Sequence, residues 1–245
     1  MKRNILLVLL MALLIAACGN EDESVTLSAA ASTRDALEEV VELFNIEHHS
    51  NIEMNFGGSG ALKIQIEQGA PVDMFLSANI NHFEDLEDAG FIEESIMYLG
   101  NRLVLIVPEQ NAGISSIEEL VEVNQLALGT PESVPAGEYA KAALEHYELW
   151  DEVEDNIIYA EDVRQVLQYV EIGEVDAGIV YHTDALTSDK VKIAATFDKN
   201  SHDQVEYPLG ILNSGAQKNG VTDFYAFLQT DAALEVFRKY GFTTE

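Results

Sequence analysis

The chain has 245 residues, 47% of them hydrophobic, which is enough for one large α/β domain or two compact lobes and too apolar for wholesale disorder. Thirteen Lys and Arg against forty-three Asp and Glu leave a formal charge of −30, which repels phosphate backbones and anionic bilayer surfaces and argues against nucleic acid as a partner. The single cysteine, Cys18, excludes an internal disulfide and a cysteine-based zinc site.

The N-terminus reads as a secretory leader. Lys2 and Arg3 precede an unbroken apolar run from Ile5 to Ala17, short of the ~20 residues a membrane-spanning helix needs. Leu14-Ile15-Ala16-Ala17-Cys18 resembles a bacterial lipobox, which implies cleavage before Cys18 and lipid attachment to it. The expected division is a signal peptide over 1–17 and an acidic tether over 18–24 (Gly19-Asn20-Glu21-Asp22-Glu23-Ser24 within it). The expected location is outside the cytoplasmic membrane, on the periplasmic side or outer face, anchored by lipid. Loss of Lys2 and Arg3 with the leader takes the charge from −30 to −32.

Strand and helix patterns alternate from there. Val25 to Ala30 reads as a buried strand. Asp35 to His48 reads as a helix, with Leu37, Val40, Val41 and Phe44 on one face and Glu38, Glu39, Glu42 and Glu47 on the other. Asn51 to Phe56 alternates as a strand, Gly60 to Gln68 reads as a helix stopped by Gly69 and Pro71, Asp73 to Ser77 as a strand and Ile80 to Ala89 as a helix. A second unit opens with the apolar strand Leu103 to Val107. A short helix from Ile117 to Val123, strands at Gln125 to Leu128 and Ile157 to Tyr159, and helices at Ala136 to Tyr147 and Val163 to Ile172 follow. Ala177 to Tyr181 and Val191 to Thr196 are strands, Glu206 to Asn213 is an apolar return run, and Val221 to Tyr240 reads as two helices ending at Gly241. This is the rhythm of mostly parallel sheets flanked by helices. No linker separates the units, so strands crossing between two lobes are expected, with a cleft for a small ligand between them. Lobe one takes 25–103 and 208–245, and lobe two takes 104–207.

Enzyme signatures fail. No GxGxxG or GxxxxGK[ST] is present, and Gly57-Gly58-Ser59-Gly60 departs from GxSxG at Ala61. The histidines form no HExxH pair. His48-His49 sits at a helix end, where the dipole favours cations, and His182 follows a strand without a motif naming a partner. What stands out is a set of uncharged donors at helix starts. Ser32 lies before a helix as an N-cap would, Gly57-Gly58-Ser59-Gly60 joins a strand to a helix, Pro135-Ala136-Gly137 opens a third and Glu161-Asp162-Val163 a fourth. Each start leaves N–H groups unpaired at the positive end of a dipole, a site suited to an anion.

The stretches Ala29-Ala30-Ala31-Ser32, Gly58-Ser59-Gly60, Gln68 to Phe75 (QGAPVDMF), Pro131 to Ala140 (PESVPAGEYA), Ala160 to Arg164 (AEDVR), Gly178 to Tyr181 (GIVY) and Tyr240-Gly241-Phe242 resemble the periplasmic molybdate-binding proteins of ABC transporters. The likeness runs over essentially everything after the tether. It implies a type II periplasmic-binding-protein fold with the ligand between lobes, and capture of molybdate, with tungstate close behind, for an ABC permease and its ATPase. By position it assigns hydroxyl and backbone N–H donors to Ser32 and Ser59, backbone N–H donors to Ala136 and Val163, and a phenolic donor to Tyr181. It implies no cofactor, no direct metal ligand, no catalysis and a monomer. Thr130 stands where the family often has an acidic or amide residue, and Gly58 and Gly60 replace serines of some members. Arg164 is expected to pack or close the lobes. Another oxyanion such as sulfate, a hydrolase using Ser59, and an adhesive surface lipoprotein are the competing readings.

Overall fold

The computed structural model describes residues 24–48, 50–110 and 113–244. The leader, Cys18, most of the expected tether and His49 lie outside the described residues. Among the described residues, eleven strands form two sheets. Strand β1 (Val25–Ala30) is buried except at the half-buried Thr26, as a central strand between β2 and β3 is, and it ends in a 3-10 turn at Ala31–Thr33. Helix α1 (Arg34–Glu47) turns Ala36, Leu37, Val40 and Phe44 inward, the expected apolar stripe, with Val41 half-buried beside it. Strand β2 (Ile52–Gly57), α2 (Ser59–Glu67), β3 (Met74–Leu76) and α3 (Ile80–Asp88) complete a βαβα run, in which β1 pairs parallel with β2 and β3.

Strand β4 (Ile92–Asn101) escapes the sequence pattern. Its neighbour in the chain is β5 (Leu103–Pro108), and one continuous stretch carries the backbone from the first sheet into the second. Beyond it lie a 3-10 turn at Glu118–Glu122 in place of the expected short α-helix, then β6 (Leu126–Gly129), α4 (Pro135–His146), the short α5 (Trp150–Val153), β7 (Ile157–Ala160) and α6 (Val163–Glu171). Strand β8 (Ala177–Tyr181), α7 (His182–Ala185) and β9 (Val191–Thr196) close the second sheet. The chain then returns through β10 (Val205–Leu212) to the first, which α8 (Asn219–Leu228), α9 (Asp231–Lys239) and β11 (Thr243–Thr244) finish.

The orders are β11-β4-β10-β3-β1-β2 and β7-β6-β8-β5-β9. Both sheets are mixed. The βαβ portions are parallel, whereas β10 runs antiparallel to β3 and β4, and β5 antiparallel to β8 and β9. A strand arriving from the other sheet has no crossover helix to fix it parallel to its neighbours, which accounts for this. Leu103 pairs with Tyr181, and Val205 to Tyr207 pair with β4. The sheets therefore change over at Arg102 and before Val205, rather than after Leu103 and after Tyr207. The site positions follow from the topology: the C-terminal ends of β1 and β2 in one sheet face the starts of α4 and α6 from the other.

Candidate functional site

Ser32, Ser59, Ala136, Val163 and Tyr181 line one cavity, together with Gly58, Ala78 and Val134 among others. The lobes meet closely around it and leave a volume of about 10 Å³.

Each donor reaches the cavity by a different local device. Ser32 is not an N-cap: it sits inside the 3-10 turn after β1, helix α1 starts only at Arg34, and no side chain caps it. The turn aims its hydroxyl at Tyr207, whose phenol oxygen is 2.9 Å away. Ser59 opens α2 after the extended Gly58, and it is fully buried. Its Oγ accepts the Ala78 N–H at 2.9 Å, which leaves its own proton free to donate. No hydrogen bond among the described residues joins Ser59 to a histidine or carboxylate.

Ala136 follows Pro135 in the first turn of α4, and Val163 is the first residue of α6 behind the Asp162 cap, whose carboxylate accepts from the Gln165 N–H at 2.9 Å. Neither N–H has a carbonyl four residues back inside its own helix, and both lie at the positive end of a helix dipole. Tyr181 ends β8 and is 1% exposed, and its hydroxyl has no hydrogen-bond partner among the described residues. Burial first, then the neighbouring Tyr207, holds the phenol well above its usual range, so it remains protonated and able to donate.

Five contacts cross between the lobes around this cavity. The Gly60 N–H donates to the Ser133 carbonyl at 3.0 Å, the Asn79 amide to Glu138 at 3.0 Å and the Tyr139 hydroxyl to the Ala78 carbonyl at 3.4 Å. Burial raises the Glu138 carboxyl, with Asp203 adding to the effect. Arg164, from the second lobe, pairs with Asp35 of the first and reaches the Ser32 carbonyl at 3.5 Å. Its Nε lies 2.7 Å from the fully buried Asp184 as an ion pair without the alignment of a hydrogen bond. Burial pushes the Asp184 carboxyl up to about 6 against the pull of Arg164. The guanidinium thus spans the lobes beside the cavity, the role expected for it.

The other candidates disperse. His48 stacks on Phe44 with ring centroids 4.4 Å apart, and His182 lies 3.0 Å from the Arg102 guanidinium, away from the cavity lining. Among the described residues no group of three or more His, Cys, Asp or Glu is placed to hold a metal. Sequence reasoning missed Tyr207 and Asn101, which stand behind Ser32. Their contacts span more than a hundred positions, and the one available signal was a tyrosine inside an apolar strand that crosses between lobes.

Two sheets joined by two crossings, with helix starts from both closing on a small cavity of donors, define a two-lobed solute-binding protein. The family described as bacterial extracellular solute-binding protein matches residues 25–243, and the chain belongs to it. It is 46% identical over 245 residues to the putative ABC transporter substrate-binding lipoprotein YvgL of Bacillus subtilis (strain 168), covering 95% of this chain and 94% of that one. It is 37% identical over 244 residues to the molybdate-binding protein ModA of Escherichia coli (strain K12), covering 95% of both. The periplasmic molybdate-binding protein of Azotobacter vinelandii shares the fold with a TM-score of 0.82 at 20% identity, over 90% of this chain and 99% of that one. No helix of the described residues is long and apolar enough to cross a membrane.

Proposed function

We propose that the chain binds molybdate, and by the same chemistry tungstate, outside the cytoplasmic membrane and delivers it to an ABC-type permease and its ATPase. The observation that carries this reading is the donor set: five groups from two lobes line one small cavity, and one of them, the Tyr181 hydroxyl, is buried with no hydrogen-bond partner among the described residues. Molybdate at neutral pH carries no proton, so each of its oxygens is an acceptor, and a cavity lined by donors suits it. Two helix dipoles and neutral hydroxyls supply the stabilisation without a lysine or arginine in the lining, which keeps release feasible. The names of relatives at 37% and more identity support the same ligand.

The anion touches both lobes and therefore favours the closed arrangement, the form a permease distinguishes from the empty one. Cys18 supplies the lipid anchor, and the protein acts as a monomer, without turnover and without a cofactor. Isothermal titration of the full chain in detergent micelles against molybdate, tungstate and sulfate tests the reading. Tight one-to-one molybdate binding is expected, with sulfate binding far more weakly. Sulfate binding equally well, or no anion binding, overturns it.

A further inference from the structure

We propose that Tyr207, held by Asn101, is a specificity-determining positioning residue that makes Ser32 an obligate donor to the bound anion. The inference rests on the oxyanion-binding reading and adds residues that lie outside the cavity lining.

The polarity of the chain of hydrogen bonds can be worked out from its far end. The Arg102 N–H donates to Asn101 Oδ1 at 2.9 Å, which fixes the orientation of the amide. Asn101 Nδ2 is then a donor, and it reaches Thr183 Oγ1 at 2.9 Å and the Tyr207 hydroxyl at 3.2 Å. Tyr207 is fully buried between the Tyr181 and Phe242 rings, and Asn101 and Ser32 are the hydrogen-bond partners of its hydroxyl. With Asn101 donating, the phenolic proton has one acceptor within reach, Ser32 Oγ at 2.9 Å. The opposite arrangement, with Ser32 donating to Tyr207, leaves a buried O–H with nowhere to go, a penalty that disfavours it strongly. Ser32 therefore accepts from Tyr207 with one lone pair, and its own proton, with no other acceptor among the described residues, is directed at the cavity. Asn101 sits where the chain passes from one sheet to the other, so this polarity is set at the crossing itself.

The consequence is selectivity by protonation state. Sulfate and hydrogen phosphate near pH 8 are both tetrahedral dianions, and they differ in the single O–H of the phosphate. A Ser32 locked as donor opposes that O–H, whereas an unlocked Ser32 rotates and accepts it.

The test measures competition of molybdate, sulfate and hydrogen phosphate at pH 8 with the full chain in detergent micelles, as wild type and with Tyr207→Phe or Asn101→Asp. Tyr207→Phe keeps the ring packing and removes the lock. Asn101→Asp gives the phenol a carboxylate to donate to, which lets Ser32 turn its proton to Tyr207 and present a lone pair to the anion. In wild type, hydrogen phosphate is expected to compete more weakly than sulfate. In both variants the ratio of hydrogen phosphate to sulfate affinity rises about tenfold, the effect of one hydrogen bond gained or lost by a charged ligand. A purely structural role lowers all three affinities together and leaves that ratio alone, and such a result overturns the inference. Wild type in which hydrogen phosphate competes as well as sulfate overturns it too, with no variant needed. Wild type that takes up none of the anions overturns the binding reading and the inference with it, so the two failures are distinguishable.

Discussion

Tyr181 and Ser32 show how differently two buried hydroxyls can be provided for. Ser32 has a protein partner in Tyr207 and still keeps a proton for the cavity, whereas the Tyr181 hydroxyl has no hydrogen-bond partner among the described residues. An unpartnered buried hydroxyl weakens the fold by about 1–3 kcal/mol until a ligand arrives. Tyr181→Phe is therefore expected to leave the melting temperature of the anion-free protein unchanged or slightly higher, and to weaken molybdate binding about tenfold. Melting curves and titration on the same preparations check both halves, and unchanged affinity removes Tyr181 from the site. At this scale the Asp184 carboxyl also matters. Its burial without an aligned hydrogen bond from Arg164 explains why it is shifted toward neutrality, and why the arginine is left to share its charge with Asp35 across the cleft.

Among elements, the site is an encounter of helix starts, and two glycines set how closely they meet. A Cβ on Gly137 would lie 1.9 Å from the Gly129 carbonyl, so α4 begins directly on the end of β6, and this seat positions Ala136. A Cβ on Gly58 would lie 2.6 Å from the Ser133 carbonyl and 3.1 Å from that of Glu161, both on the opposite lobe. Gly58 has an extended backbone that alanine adopts without strain, so the clash belongs to the closed state alone. Gly58→Ala is expected to fold and melt as the parent does without anion, yet to bind molybdate about tenfold or more weakly, the cost of forcing an extra methyl into a packed contact. Equal affinity for the two proteins would show that the lobes need not approach this closely when they hold the anion.

The whole molecule opposes its proposed ligand at long range. A formal charge of −30 repels a dianion, and the helix starts and hydroxyls must overcome that repulsion locally. Salt at about 0.15 M screens beyond roughly 8 Å, which removes most of the distant repulsion and leaves the buried contacts. Molybdate affinity is therefore expected to hold or improve between low and moderate ionic strength. A steep loss in titrations at two salt concentrations would mean that an attractive cationic field, not the cavity, holds the anion. The lobes are joined by Arg164, by the Gly60–Ser133 backbone bond and by the Asn79–Glu138 pair, so closure has its own contacts beside the ligand's.

Local periodicity was sufficient for the apolar strands and for α1, because Leu37, Val40 and Phe44 recur at helical spacing whatever they pack against. It failed at β4, whose burial follows no alternation because its two ends meet different environments, and at Ser32, where a 3-10 turn replaces the cap its position suggested. The helix starts that carry Ser32, Ser59, Ala136 and Val163 could be read from short motifs, since a helix start is a local event, whereas Tyr181, at a strand end, was assigned by the family resemblance alone. That they share one cavity, that Tyr181 is left without a partner and that Asn101 and Tyr207 direct the Ser32 proton are properties of residues far apart in the chain. The amino-acid order determined which groups can donate. Only the crossing of two strands between two sheets decided where those donors point, because the direction of a buried hydroxyl depends on every polar atom packed around it.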